Sequence, residues 1–112
     1  YHAAIQATPQ VLVTGGFAEK FGGSEDALFN WDMLKAIHWD VALLQTYAQA
    51  VFDGVQRYLT TLTDEELGRA CKVFNHDTTV AETIAVATWH TALHAGEIAA
   101  LKGVNQVKGL PF

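Results

Sequence analysis

The sequence predicts an all-helical domain, and two long segments with a helical pattern of apolar residues lead to that prediction. In the first segment apolar residues recur at alternating steps of three and four from Leu34 to Leu62. The second segment has the same spacing from Val80 to Leu101, with Thr91 and His94 at two of the positions. This spacing places the apolar side chains on one face of a helix, and neither segment shows the strict alternation that is typical of a strand. A chain of 112 residues is long enough for one small domain, so residues 1–112 are predicted to form a single unit.

The first part of the chain is predicted to be the end of a helix followed by a loop. Tyr1 to Ala7 is interpreted as the end of a helix that begins upstream, because the chain starts with a tyrosine and the segment has no start signal. Pro9 prevents that helix from continuing, since it lacks an N–H and clashes with the preceding turn. Residues 11–23 are predicted to be a glycine-punctuated loop that Phe17 and Phe21 hold against the core.

Helix-start signals divide the rest of the chain. Ser24 is predicted to cap a short helical turn at 27–30, and a long helix is then predicted from Trp31 to Leu62. Thr63 and Glu66 form a capping-box pattern, which predicts a short helix after a turn.

A second capping-box pattern, Thr79 with Glu82, opens the last helix. That helix is predicted to end at Lys102, with Gly103 just after it as the left-handed cap. Residues 71–77 between the two capping boxes are predicted to be irregular.

The amino-acid composition limits the kinds of molecule that the protein is expected to bind. The chain has 12 acidic and 7 basic side chains, a formal net charge of −5 and no basic run, which argues against a nucleic-acid partner. No apolar run approaches the roughly 20 residues that a membrane-spanning helix needs. The single cysteine, Cys71, has no partner for an internal disulfide, so we expect a reducing, cytoplasmic location.

His90 and His94 are the strongest candidates for a functional site. Two histidines four positions apart on a helix lie on one side, about one turn from each other, and can share a divalent metal such as Zn²⁺ or Ni²⁺. His94 lies on the inward stripe of the last helix, where an imidazole needs a bonding partner and a metal would supply one. The alternative is a pair of histidines that neighbouring polar groups satisfy. A complete site needs a third ligand from another helix, for which His2 is favoured over His38.

Two further residues near this site have alternative interpretations. Glu97 follows His94 by three positions and is a candidate to orient that histidine, to bind the metal or to act as a general base. The favoured interpretations are the orienting role and a solvated helix glutamate. Cys71 is interpreted as an inert packing residue, because no histidine and aspartate are placed to activate it as a nucleophile.

Two stretches of the chain resemble a known family. The last helix and the tail are similar to the C-terminal end of the DinB/YfiT-like superfamily, and the segment before them is similar to its third helix and following turn. The resemblance covers most of the chain and is most specific in the last helix and tail. The residues that carry it are His90-x-x-x-His94-x-Gly96-Glu97-Ile98-x-x-Leu101-x-Gly103, Gly109-Leu110-Pro111-Phe112, Tyr47, Val51 and Leu62-x-x-Glu65-Glu66-Leu67.

The resemblance implies a four-helix bundle in which three histidines hold a divalent metal. Two of them correspond to His90 and His94, and the third comes from the second helix, where it is either His2 or a residue upstream of Tyr1. The chain would then contain about the C-terminal three-quarters of the fold. We therefore expect the bundle to be incomplete in this chain or completed by a second copy, as a homodimer.

The resemblance also implies a metal-dependent enzyme that acts on a small molecule. Family members include transferases and isomerases that use a low-molecular-weight thiol, and some hydrolases. A metal can lower the pKa of a bound thiol or water and so present a nucleophile. The alternative is a non-catalytic helical module for binding or assembly, with a structural or vestigial metal site.

Overall fold

The computed structural model describes residues 1–21, 32, 35 and 39–109. In this part of the chain the structure is mostly helical, which confirms the predicted fold class, with one small two-stranded sheet in addition. The chain divides into two compact units. The N-terminal unit is His2–Asp64, and the C-terminal unit is Glu65–Phe112 together with Tyr1.

Over residues 2–21 and 39–63, the N-terminal unit contains three short helices and one long one. They are α1 (His2–Ile5), α2 (Val11–Thr14), α3 (Phe17–Lys20) and α4 (Val41–Leu59).

The predicted loop at 11–23 is wrong over most of its length, because it contains α2 and α3. The two helices are joined at Gly15-Gly16, where Gly16 adopts a left-handed φ of 62° that favours glycine. The Gly15-Gly16 pair therefore forms a turn between two short helices and is not part of a continuous loop.

A small aromatic core lies where α2 and α3 meet α4. Leu12, Phe17 and Phe21 are buried, and Tyr47 of α4 packs against them with its ring centroid 5.2 Å from that of Phe17. The prediction that Phe17 and Phe21 anchor this segment to a core is confirmed.

Helix α4 is shorter than the helix predicted from Trp31 to Leu62. Residues 39 and 40 are not helical, and the Asp40 side chain caps α4 by accepting a hydrogen bond of 2.8 Å from the Leu43 N–H. The apolar stripe continues through this point, so periodicity alone did not reveal the break. The predicted Ser24 cap, the turn at 27–30, Trp31 and His38 lie outside the described residues.

The C-terminal unit contains a β-hairpin between two helices. After the short helix α5 (Asp64–Gly68), strand β1 (Ala70–Val73) pairs antiparallel with β2 (His76–Thr79). The two-residue turn is Phe74-Asn75, and both residues have positive φ, 49° and 66°. The prediction that 71–77 is irregular is therefore wrong.

The last helix, α6 (Val80–Val104), begins at the predicted capping box. The Thr79 hydroxyl accepts a hydrogen bond from the Glu82 N–H, and the Glu82 carboxylate accepts one of 2.9 Å from the Thr79 N–H. The predicted end is wrong by two residues. Gly103 lies inside the helix, and the left-handed residue after it is Gln106, with φ of 58°.

Burial along α6 is uneven. Val80 and Thr83 at its start are buried, whereas most of the helix after Thr91 is exposed. None of the helices in the described part of the chain is long and apolar enough to cross a membrane.

Candidate metal centre

His90 and His94 lie side by side near the middle of α6. Their ring centroids are 4.4 Å apart, and the ring planes are inclined at 50°. The helix is continuous from Val80 to Val104, so the i, i+4 spacing brings the rings together as predicted.

Tyr1 holds the first of these imidazoles. Its hydroxyl lies 3.1 Å from Nδ1 of His90, and the two rings meet edge to face with centroids 5.8 Å apart. Phe74 of the hairpin turn packs edge to face on the other side of Tyr1, at 5.6 Å. His90 is consequently half-buried in the C-terminal unit, with its Nδ1 occupied.

Glu97 holds the second imidazole. Its Oε2 atom lies 2.7 Å from Nδ1 of His94, one turn along the same helix. Because a carboxylate oxygen can only accept, this contact requires a proton on Nδ1 of His94, and in the neutral imidazole the lone pair is then on Nε2. This hydrogen bond supports the interpretation that Glu97 orients the ring of His94.

The prediction that His94 faces a core is wrong, since 58% of its side chain is exposed. The inward stripe is buried or half-buried only at its start, at Val80, Ile84 and Ala87. Farther along, Ile98 is 59% exposed, so the same face is open to solvent. Helical periodicity establishes which residues share a face, but the elements that cover the face lie elsewhere in the chain.

His2, the candidate third ligand, lies in α1 of the N-terminal unit. Its ring packs against Tyr58 with centroids 5.4 Å apart, and its Nε2 atom is buried without a hydrogen-bond partner. Burial lowers the pKa of His2, and the Arg57 guanidinium adds to this effect, so the neutral form is favoured. An orphaned nitrogen on a neutral imidazole is suited to bind a metal.

The structure does not show a complete three-ligand cluster. Within the described residues, no group of three or more His, Cys, Asp or Glu side chains is placed to hold a metal ion. His90 and His94 therefore form a pair of potential ligands, and His2 is a separate one.

Two other residues complete the account of the site. Cys71 is half-buried, with its Sγ 3.7 Å from the Thr83 hydroxyl. Tyr1 was not among the predicted site residues, because its contact with His90 joins positions 89 apart and leaves no local pattern in the sequence.

Comparison with known proteins places the chain in a family. No curated protein and no solved structure matches it. The family model of the DinB superfamily matches residues 7–98, a range that includes His90, His94 and Glu97 and begins after His2. Because this match covers most of the sequence, the chain belongs to the DinB superfamily.

Proposed function

We propose that this protein is a divalent-metal-dependent enzyme that carries out thiol transfer or hydrolysis on a small molecule. His90 and His94 would hold the metal, Zn²⁺, Ni²⁺ or a similar ion. The observation that carries the proposal is that Nδ1 of each helix imidazole has a partner, Tyr1 for His90 and Glu97 for His94. This arrangement is usual for metal-binding histidines, in which one nitrogen binds the metal and the other is held by an oxygen.

The roles of the chain's own residues follow from these contacts. Glu97 keeps the proton of His94 on Nδ1, which leaves the Nε2 lone pair for a metal. Tyr1 restricts the ring of His90 through its hydroxyl and its edge-to-face contact. A bound metal would supply the acidity that converts a thiol or water into a nucleophile near neutral pH. Cys71 is not required in this scheme.

Metal titration against a competing chelator tests the ligand assignment. We expect the wild type to bind zinc, and His90→Ala and His94→Ala each to lose at least about tenfold in affinity. His76→Ala is the matched control, because His76 is an exposed histidine of the same unit that lies in β2. Equal zinc affinity in the wild type and both ligand variants would contradict the proposal.

The thiol step has a separate test in the cobalt-substituted protein. Addition of a small thiol should produce a sulfur-to-cobalt charge-transfer band in the wild type and in Cys71→Ser, but not in His94→Ala. A band that disappears in Cys71→Ser would show that Cys71 is the sulfur ligand, and would contradict the use of an exogenous thiol.

A second candidate function is a non-catalytic assembly module, which the exposure of His94 favours. Two copies of the chain could each supply one His90–His94 pair and so provide four ligands, the number that structural zinc sites have. The two candidates differ in stoichiometry. One zinc per two chains, with zinc-dependent dimer formation and no open coordination position, would favour the assembly module over the enzyme.

A further inference from the structure

A cleft of about 310 Å³ lies in the N-terminal unit, between α1 and α4. Its volume is at the lower end of the range of small-molecule pockets, so it suits a ligand with few atoms. Tyr58 is buried at 7% exposure, whereas Gln6, Arg57 and Thr61 are exposed, so the cleft has a closed floor and an open rim. The residues that line it are His2, Gln6, Gly54, Arg57, Tyr58 and Thr61.

Two nitrogen-bearing side chains converge above Gly54. A Cβ atom at Gly54 would lie 3.9 Å from Nη2 of Arg57, 3.9 Å from Nδ1 of His2 and 3.5 Å from Cε1 of His2. The guanidinium and one edge of the imidazole therefore approach the same point on the surface of α4. Because glycine has no side chain, this point is free for a ligand.

No carboxylate neutralises the guanidinium of Arg57 in the described part of the chain. Ion pairs there join Lys35 to Asp32, Arg69 to Glu66 and Lys72 to Asp77. Asp53, four positions before Arg57 on α4, accepts a hydrogen bond of 2.7 Å from Gln49.

The lining contains donors for an anion and no acidic side chain, although the whole chain has a net charge of −5. Arg57 offers N–H groups in a fork that matches the two oxygens of a carboxylate. Nδ1 of His2 lies at the same point and is a donor in the tautomer that carries the ring proton there. The Thr61 hydroxyl is already used, because it donates to the Tyr58 carbonyl at 2.7 Å.

We propose that this cleft binds the carboxylate group of a small organic acid, with Arg57 as the principal contact and Nδ1 of His2 and the Gln6 amide beside it. The acid is a ligand of the N-terminal unit, and binding of its carboxylate does not require a metal.

Titration of the full chain with succinate, followed by the NMR signals of the histidine ring protons, tests this assignment. Saturable shifts are expected with succinate and not with the uncharged analogue succinamide. Arg57→Gln should weaken succinate binding by at least about tenfold, and Arg57→Lys should lose less because it keeps the charge but not the fork. Arg69→Gln removes the same charge at an arginine that pairs with Glu66, and should bind succinate like the wild type.

Further measurements on the same proteins separate this cleft from the metal centre. Arg57→Gln should bind zinc like the wild type, and His94→Ala should lose zinc but bind succinate. Circular dichroism establishes that Arg57→Gln is folded, as expected for an exposed side chain. Wild-type succinate affinity in folded Arg57→Gln, equal binding of succinamide, or Arg57-dependent binding of inorganic phosphate without binding of succinate would each overturn the proposal.

Discussion

Glu97 is the residue whose removal tests the proposed metal centre without removing a ligand. Its carboxylate lies 2.7 Å from Nδ1 of His94, and both side chains are more than half exposed. Loss of such an orienting partner typically lowers metal affinity by about 10–100-fold. We expect Glu97→Ala to lower zinc affinity within that range, and Glu97→Gln to lower it less because an amide oxygen can still accept from Nδ1–H.

The measurement is a zinc titration against a chelator, with Glu65→Ala as the control. Glu65 is an exposed glutamate of α5 in the same unit. If Glu97→Ala binds zinc as tightly as Glu65→Ala, the carboxylate does not orient a metal-binding imidazole.

The relation between His90, His94 and Glu97 could be predicted from the sequence, because spacing along one helix determines which side chains meet. The exposure of His94 to solvent could not be predicted from the sequence. It depends on what packs against α6, and that information is not local to the helix. The contact of Tyr1 with His90 could not be predicted either, because the two residues are 89 positions apart in the sequence.

At the scale of elements, the start of α6 gives a pH-dependent contribution to stability. Hydrogen bonds from the Thr79 N–H, the Thr79 hydroxyl and the Thr78 hydroxyl lower the pKa of Glu82 below its ordinary value of 4.5. A carboxyl whose pKa is lower in the folded state stabilises that state above its unfolded pKa. This contribution is lost as the pH falls from about the ordinary value through the lowered folded value.

Glu82→Gln should therefore reduce the loss of stability on the acidic side of this range. Glutamine can keep the capping-box geometry but cannot titrate. Urea unfolding midpoints measured from neutral to acidic pH check the prediction, with Glu65→Gln as a control whose profile should follow the wild type. A Glu82→Gln profile that parallels the wild type down to the lowest pH would contradict it.

Gly54 offers a second test within an element, because it lies inside α4 with a negative φ. Alanine has a helix propensity better than glycine by about 1 kcal/mol. The added Cβ would lie 3.5 Å or more from the nearest side-chain atoms, which is ordinary van der Waals contact.

We expect Gly54→Ala to raise the free energy of unfolding by up to about 1 kcal/mol, measured by urea unfolding. The same substitution should weaken succinate binding, because the methyl group occupies part of the cleft. A loss of stability would show that this surface cannot accept a methyl group.

Helices and turns could be predicted where the residues that form their hydrogen bonds are close in the sequence. The Thr79–Glu82 capping box was found because its donors and acceptors are close in sequence. The hairpin was missed because Phe74-Asn75 is not one of the glycine-containing pairs that favour a turn with two positive φ values. The start of α4 was misplaced because the apolar stripe in the sequence extends to both sides of Asp40, whose side chain caps the first turn of α4.

At the scale of the whole molecule, α6 has more apolar surface than one contact face can cover. Trp89 is 62% exposed and Ile98 is 59% exposed. They are nine positions apart, so at about 3.6 residues per turn they lie on opposite sides of the helix. A helix that is apolar on more than one side is usually buried. The expectation that a second copy completes the bundle follows the same physical reasoning, and it stays a prediction.

We therefore expect the 112-residue chain to self-associate in solution, with α6 in the interface. Light scattering over a range of protein concentrations should give a mass above the 12.2 kDa of one chain. Trp89→Glu and Leu93→Glu should each shift the protein towards the monomer, because a charge in an apolar contact loses its hydration without gaining a partner. Val41→Glu is the matched control, since Val41 is 68% exposed at the first position of α4. A wild type that remains monomeric at every concentration would contradict the prediction, and so would an equal effect of Val41→Glu and Trp89→Glu on the mass.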